Sequence, residues 1–132
     1  MSGVEGTDLV LSVVGRWNPG DLAYIERLEY AAESHGQEAE LILVGIIQRR
    51  DLERHGWPSE NGPKFRMKMS FLGVQQLHIR EFGGPPTQIA GFDITDVSNR
   101  SWENIRFSIE DYEHDRIRFF CKEFKIISVA PM

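Results

Sequence analysis

The sequence predicts a mainly β protein: an antiparallel meander or sandwich-like sheet of six to seven strands, with at most one or two short helices. Three observations carry this. Residues 65–71 alternate Phe65, Met67, Met69 and Phe71 against Arg66, Lys68 and Ser70, the period of two that lays one face of a strand on a core. Residues 40–48, ELILVGIIQ, form a short, continuous, β-branched run, the pattern of a strand covered on both faces. From residue 63 onward, apolar alternation recurs about every 12–15 residues between short turns, the spacing of a meander.

The elements follow in order. Residues 1–7 are small and polar and read as a flexible tail, so that one globular β domain is expected over 8–132. Residues 8–14 suit a two-turn helix capped by Asp8 and stopped at Gly15. Residues 15–21, Gly-Arg-Trp-Asn-Pro-Gly-Asp, are rich in turn formers. Residues 22–34 carry two patterns. Leu22, Ile25, Leu28 and Ala32 share a helical face behind an Asp21 cap, yet Tyr24, Glu26, Leu28 and Tyr30 also alternate with Ile25, Arg27 and Glu29.

After the run at 40–48 comes a polar loop over 49–63, broken by Gly56, Pro58, Gly62 and Pro63. The strand at 65–71 leads into a second over 74–82, with Leu77 and Ile79 inward and His78 and Arg80 outward. Gly83-Gly84-Pro85-Pro86 stops it. Residues 89–97 set Ala90, Phe92 and Ile94 against Asp93 and Thr95, and 104–109 set Ile105, Phe107 and Ile109 against Arg106 and Ser108. Residues 111–115 form a polar hairpin tip. Ile117, Phe119 and Cys121 then face inward, after which the inward parity passes to Phe124 and Ile126. A bulge or bend is therefore expected near Lys122-Glu123. Residues 127–132 are expected to trail off.

Composition narrows the function classes. The chain has 132 residues, is 41% hydrophobic and carries net charge −5, so it is too apolar for disorder and too acidic to track phosphates. No nucleic-acid partner is expected. No apolar run approaches the roughly 18 residues of a membrane helix, and no secretory signal is visible. A soluble, cytoplasmic protein without a membrane partner is the expectation. His35, His55, His78 and His114 stand alone, with no ligand partner at metal spacing. Cys121 alternates with core residues and reads as a small buried hydrophobe. No glycine loop suits a phosphate. No catalytic, metal or cofactor site is proposed by the residues.

Two features point to a partner. Glu110, Asp111, Glu113 and Asp115 crowd the hairpin tip, with Asp93 and Asp96 nearby. A solvated turn accounts for them, with Asp111 pairing across the hairpin to Arg116 or Arg118. A negative patch for a basic partner is the second reading. Trp57, in the long loop, suits a partner anchor, because exposed aromatics are enriched at binding hot spots.

The residues 65–74, Phe-Arg-Met-Lys-Met-Ser-Phe-Leu-Gly-Val, are followed by Leu77, Ile79 and Phe82, then Ile89-Ala-Gly-Phe92, then Ile117-Arg-Phe-Phe-Cys121 and Ile126. Over residues 15–128 this pattern resembles a mostly β family of small bacterial immunity proteins encoded beside polymorphic toxin genes. The turn at 15–21 is similar to the family's Gly-x-Trp-Pro turn with a following His-Asp. Here Asn18 stands between Trp17 and Pro19, and Gly20 where His is usual. The resemblance implies that residues 22–32 form a strand paired with 40–48, and strand is adopted there. A helix from Asp21 to His35 is the alternative. It also implies a toxin-neutralising binding protein, not an enzyme, with Glu110, Asp111, Glu113 and Asp115 on the contact face. Two other classes stand beside it: a self-associating β module forming a homo-oligomer, and a small-ligand binder using a cleft beside the 49–63 loop.

Overall fold

The computed structural model describes residues 4–32, 38–48, 63–80, 87–88, 91–100, 104–111 and 116–132. Among them the chain is mainly β. It forms β1 (Val4–Glu5), α1 (Thr7–Val13), β2 (Leu22–Ala31), β3 (Glu40–Gln48), β4 (Lys64–Leu72), β5 (Gln75–Ile79), β6 (Thr87–Gln88), β7 (Phe92–Asp96), β8 (Phe107–Asp111), β9 (Ile117–Cys121) and β10 (Glu123–Pro131). Short 3-10 turns lie at Pro19–Asp21 and Ser98–Arg100. The strands make two sheets, one of six in the order β1-β10-β4-β3-β2-β6 and one of four in the order β5-β9-β8-β7. All the pairings are antiparallel except that of β1 with β10. The strands outnumber the six or seven expected, because β1 and β6 are two-residue edge pieces and the C-terminal segment is itself a strand.

The two sheets share one bent corner. β4 lies in the six-stranded sheet and β5, two residues on, in the four-stranded one. β9 and β10 make the reverse crossing about Lys122. The crossings lie side by side. The Lys122 N–H donates to the Leu72 carbonyl at 2.9 Å, and the Gly73 N–H donates to the Ala39 carbonyl at 2.9 Å. Gly73 has φ +70, and a Cβ placed on it would come 2.9 Å from the Lys122 Cβ. Only a residue without a side chain turns this corner unstrained. The parity change after Cys121 is therefore a change of sheet.

The inward alternation follows the expected residues. Phe65, Met67, Met69 and Phe71 of β4 are buried, as are Leu41, Leu43 and Ile47 of β3, and Ile117, Phe119 and Cys121 of β9. They form one core with Phe92, Phe107, Ile109, Phe124, Ile126 and, from α1, Val10. Aromatic edges meet at its centre. Phe71 and Phe119 lie 5.0 Å apart at 81°, and Phe107 and Phe124 lie 5.2 Å apart at 71°. Edge-to-face packing of this kind adds about 0.5–1.5 kcal/mol per pair beyond area burial.

β2 settles the ambiguous segment as a strand. Its ladder with β3 runs from Leu22↔Ile47 to Ala31↔Glu40, with irregularities between Leu22 and Tyr24 and between Ile25 and Arg27. The partner strand overrides local helix propensity, as tertiary pairing commonly does. Other expectations change. The tail expected over 1–7 is anchored from Val4 onward, where Val4 and Glu5 pair in parallel with Phe124 and Lys125. Asp8 lies inside the first helical turn, and Gly6 takes the cap position. Residues 127–132 do not trail off: β10 pairs with β4 as far as Pro131↔Phe65, and the Met132 N–H donates to the Lys64 carbonyl. The irregularity between Ile126 and Ser128 breaks the apolar alternation there, which hid a strand that β4 pairs to its end. Ser70, expected outward, does lie on the outer face but is fully buried between β3 and β10. It donates to Glu40 Oε2 at 2.6 Å. Leu77 packs on the core, but Ile79 stays 42% exposed because β5 is an edge strand. The loop at 49–63 lies outside the described residues except for its last position.

Candidate functional site

The four-stranded sheet turns its outer face to solvent, and its registers fix what that face displays. β7 pairs with β8 as Asp93↔Glu110 and Thr95↔Ser108. β8 pairs with β9 as Glu110↔Arg118 and Ser108↔Phe120, and β9 with β5 as Arg118↔His78 and Phe120↔Gln75. Cross-strand partners share a face. The result is a straight row, Asp93, Glu110, Arg118, His78, beside a second, Thr95, Ser108, Phe120, Gln75. Asp93 and Glu110 are exposed. Two carboxylates directly opposite one another destabilise a strand pair by roughly 0.2–1 kcal/mol. Arg118, opposite Glu110 on the other side, offsets part of that charge, and Asp93 at the far end of the row keeps its negative charge at the surface.

Asp111 has the opposite fate. It follows Phe107 and Ile109 on the inward parity of β8 and is only 5% exposed. Its Oδ1 accepts the backbone N–H groups of Arg116 at 2.8 Å and Ile117 at 3.0 Å. The carboxylate thus ties the end of β8 to the start of β9, and little of it faces solvent. The sequence carried the signal for this, since the alternation of Phe107 and Ile109 continues to position 111. Assigning 111 to the turn obscured it. Trp57, Glu113 and Asp115 lie outside the described residues. Of the expected acidic group the structure therefore exposes Glu110, and the register sets Asp93 directly opposite it.

Asp96, at the end of β7, is engaged locally. Its Oδ1 accepts the Ser98 N–H at 2.9 Å and the Ser98 hydroxyl at 2.6 Å. These bonds, with some help from Arg106, hold its carboxyl below the ordinary 3.8.

The turn at 15–21 serves the frame of this site. Arg16 grips the buried Asp21 with Nε on Oδ2 at 2.8 Å and Nη2 on Oδ1. Asn18 Oδ1 accepts the Gly20 N–H at 3.0 Å and opens the 3-10 turn. That turn lies against the start of β7. A Cβ on Gly91, whose φ is +117, would come 2.6 Å from the Gly20 carbonyl oxygen. Trp17 packs on Phe124 with ring centroids 6.4 Å apart. The turn at 15–21 is thus an internal brace packed against the start of β7.

Among the described residues no group of three or more His, Cys, Asp or Glu is arranged to hold a metal ion. Burial, with Glu123 adding to it, pushes the Cys121 thiol up to about 12. A thiol so protonated and enclosed is a core side chain. Among the described residues no helix is long and apolar enough to cross a membrane.

Compared with protein-family models, the chain falls in the class of immunity proteins. The matching model, Immunity protein PIM8, spans residues 17–127, and the chain belongs to that family. No curated protein and no solved structure matches the chain. The match takes in the strands and turns from Trp17 to β10 on which the resemblance rests.

Proposed function

We propose that this chain neutralises a cognate protein toxin of a polymorphic toxin system by direct contact in the cytoplasm, as a binding protein and not as an enzyme. Membership of an immunity-protein family over residues 17–127 carries this reading. The row on the four-stranded sheet supplies a surface for it. Asp93 and Glu110 present paired charge on a rigid ladder, and the chain's net charge of −5 extends that field. Such a face suits a basic partner: complementary charge raises the association rate and excludes wrong partners more than it adds affinity. Glu113, Asp115 and Trp57 belong to the proposed contact as well. Asp111 contributes by tying the end of β8 to the start of β9 beside Glu110.

The test is a pull-down from the native host with the tagged chain as bait, followed by titration of the recovered toxin at low and high salt. A single stoichiometric partner bearing a toxin domain is expected, with tighter binding at low salt. Recovery of no toxin overturns the reading. Affinity that Asp93→Lys and Glu110→Lys leave unchanged at both salts removes the acidic row from the contact.

A further inference from the structure

Among the described residues the six-stranded sheet ends on an edge that is covered only in part. β6 covers β2 only at Tyr24 and Ile25, and among the described residues no strand pairs with the outer edge of β2 beyond them. Tyr30 is 51% exposed there, and the side chains of Arg27 and Glu29 are 67% and 57% exposed. An edge strand with unpaired backbone groups is a template for another strand.

We propose that this edge pairs antiparallel with the same edge of a second copy of the chain, on a two-fold axis at Leu28. The charges select the register. Arg27 and Glu29 lie on the outer face of β2, opposite Val44 and Ile42, while Leu28 lies on the inner face, opposite Leu43. A two-fold at Leu28 sets Arg27 against Glu29 of the second copy, and Glu29 against Arg27, so both ion pairs form. A two-fold at Arg27 opposes two guanidinium groups, and one at Glu29 opposes two carboxylates. One at Tyr30 sets Glu29 against Ala31. Within one copy Arg27 Nη2 and Glu29 Oε2 are 3.3 Å apart along the strand, and pairing exchanges the two contacts of the separate copies for two across the axis. The two Leu28 side chains meet on the inner side, where each is packed on its own core. The coverage of Ile25 by β6 and the irregularity between Ile25 and Arg27 leave only a short ladder about Leu28, so the association is weak and reversible. Such an interface is isologous and closes at two copies.

Sedimentation velocity on the full chain, over a concentration series, tests this. The expected result is a reversible monomer–dimer equilibrium. Arg27→Glu sets like charges against each other twice and shifts the midpoint about tenfold or more toward higher concentration. The exchange Arg27→Glu with Glu29→Arg restores it, which separates charge pairing from damage to the fold. A monomer at every soluble concentration overturns the proposal. So does a dimer whose midpoint Arg27→Glu leaves in place, or one that the double exchange fails to restore. A chain monomeric alone, whose 26–30 amides gain hydrogen-exchange protection only when toxin is added, assigns the edge to the toxin and also overturns it.

Discussion

Asp111 and Ile117 are joined across the β8–β9 turn: the Ile117 N–H donates to Asp111 Oδ1 at 3.0 Å, and the Arg116 N–H reaches the same oxygen at 2.8 Å. A charge that reads on paper as part of a binding patch is spent on the backbone of its own hairpin. Asp111→Ala leaves two amide donors without this acceptor in a buried place, and should cost about 2–3 kcal/mol of stability in denaturant unfolding. Asp111→Asn keeps a carbonyl acceptor and should cost less.

Asp93 and Glu110 predict a trade between stability and binding. Asp93→Asn removes the like-charge opposition and should stabilise the fold by about 0.2–1 kcal/mol. The same change should weaken toxin binding and flatten its salt dependence. Thermal unfolding and a salt titration of affinity, on one preparation, check both signs. A variant that gains neither stability nor salt insensitivity counts against the role given to the row.

Gly73 is the residue on which the sheets turn. Gly73→Ala places a Cβ 2.9 Å from the Lys122 Cβ on a backbone with φ +70. Relief would require the Lys122 backbone to move, and that backbone is hydrogen-bonded to Leu72. The expected loss is at least about 1 kcal/mol, read in denaturant unfolding. A control at Gly15, also at positive φ but exposed and outside either sheet, should show strain without the loss of sheet packing.

Cys121 should resist thiol reagents in the folded chain at mildly alkaline pH and react fully once the chain is unfolded. Its folded pKa of about 12 exceeds the ordinary 9.0, so the folded state holds the proton more tightly. The stability this represents is complete below pH 9 and is lost as pH rises from 9 toward 12. Cys121→Ala, lacking that proton, should show a shallower alkaline loss. Labelling kinetics and unfolding at several alkaline pH values read the two effects.

Much of the frame is legible in the residues. The alternation at Phe65, Met67, Met69 and Phe71 marks β4, and the parity change after Cys121 marks the place where β9 gives way to β10. What alternation does not carry is which strands become neighbours. β2 resembles a helix until β3 lies beside it, and β10 loses its alternation at the irregularity between Ile126 and Ser128, so only its ladder with β4 reveals its length. The site divides in the same way. Glu110 is recognisable as an outward acid, but its opposition to Asp93 comes from the β7–β8 register. Asp111 sits on the inward parity of its own strand, and a local reading of turn composition masks that.

The parallel pairing of β1 with β10 sets the order in which the fold can be built. The partners of Val4 and Glu5, Phe124 and Lys125, are made more than a hundred residues after them. β4 likewise waits for Pro131 before its second edge is filled. During synthesis β2, β3 and β4 can form a hairpin ladder from local contacts, with one side of β4 bare. Long-range closure of this kind slows folding and leaves an adhesive edge exposed in the nascent chain. Full structure, and with it any protection the chain confers, therefore arrives only once β10 is free to pair.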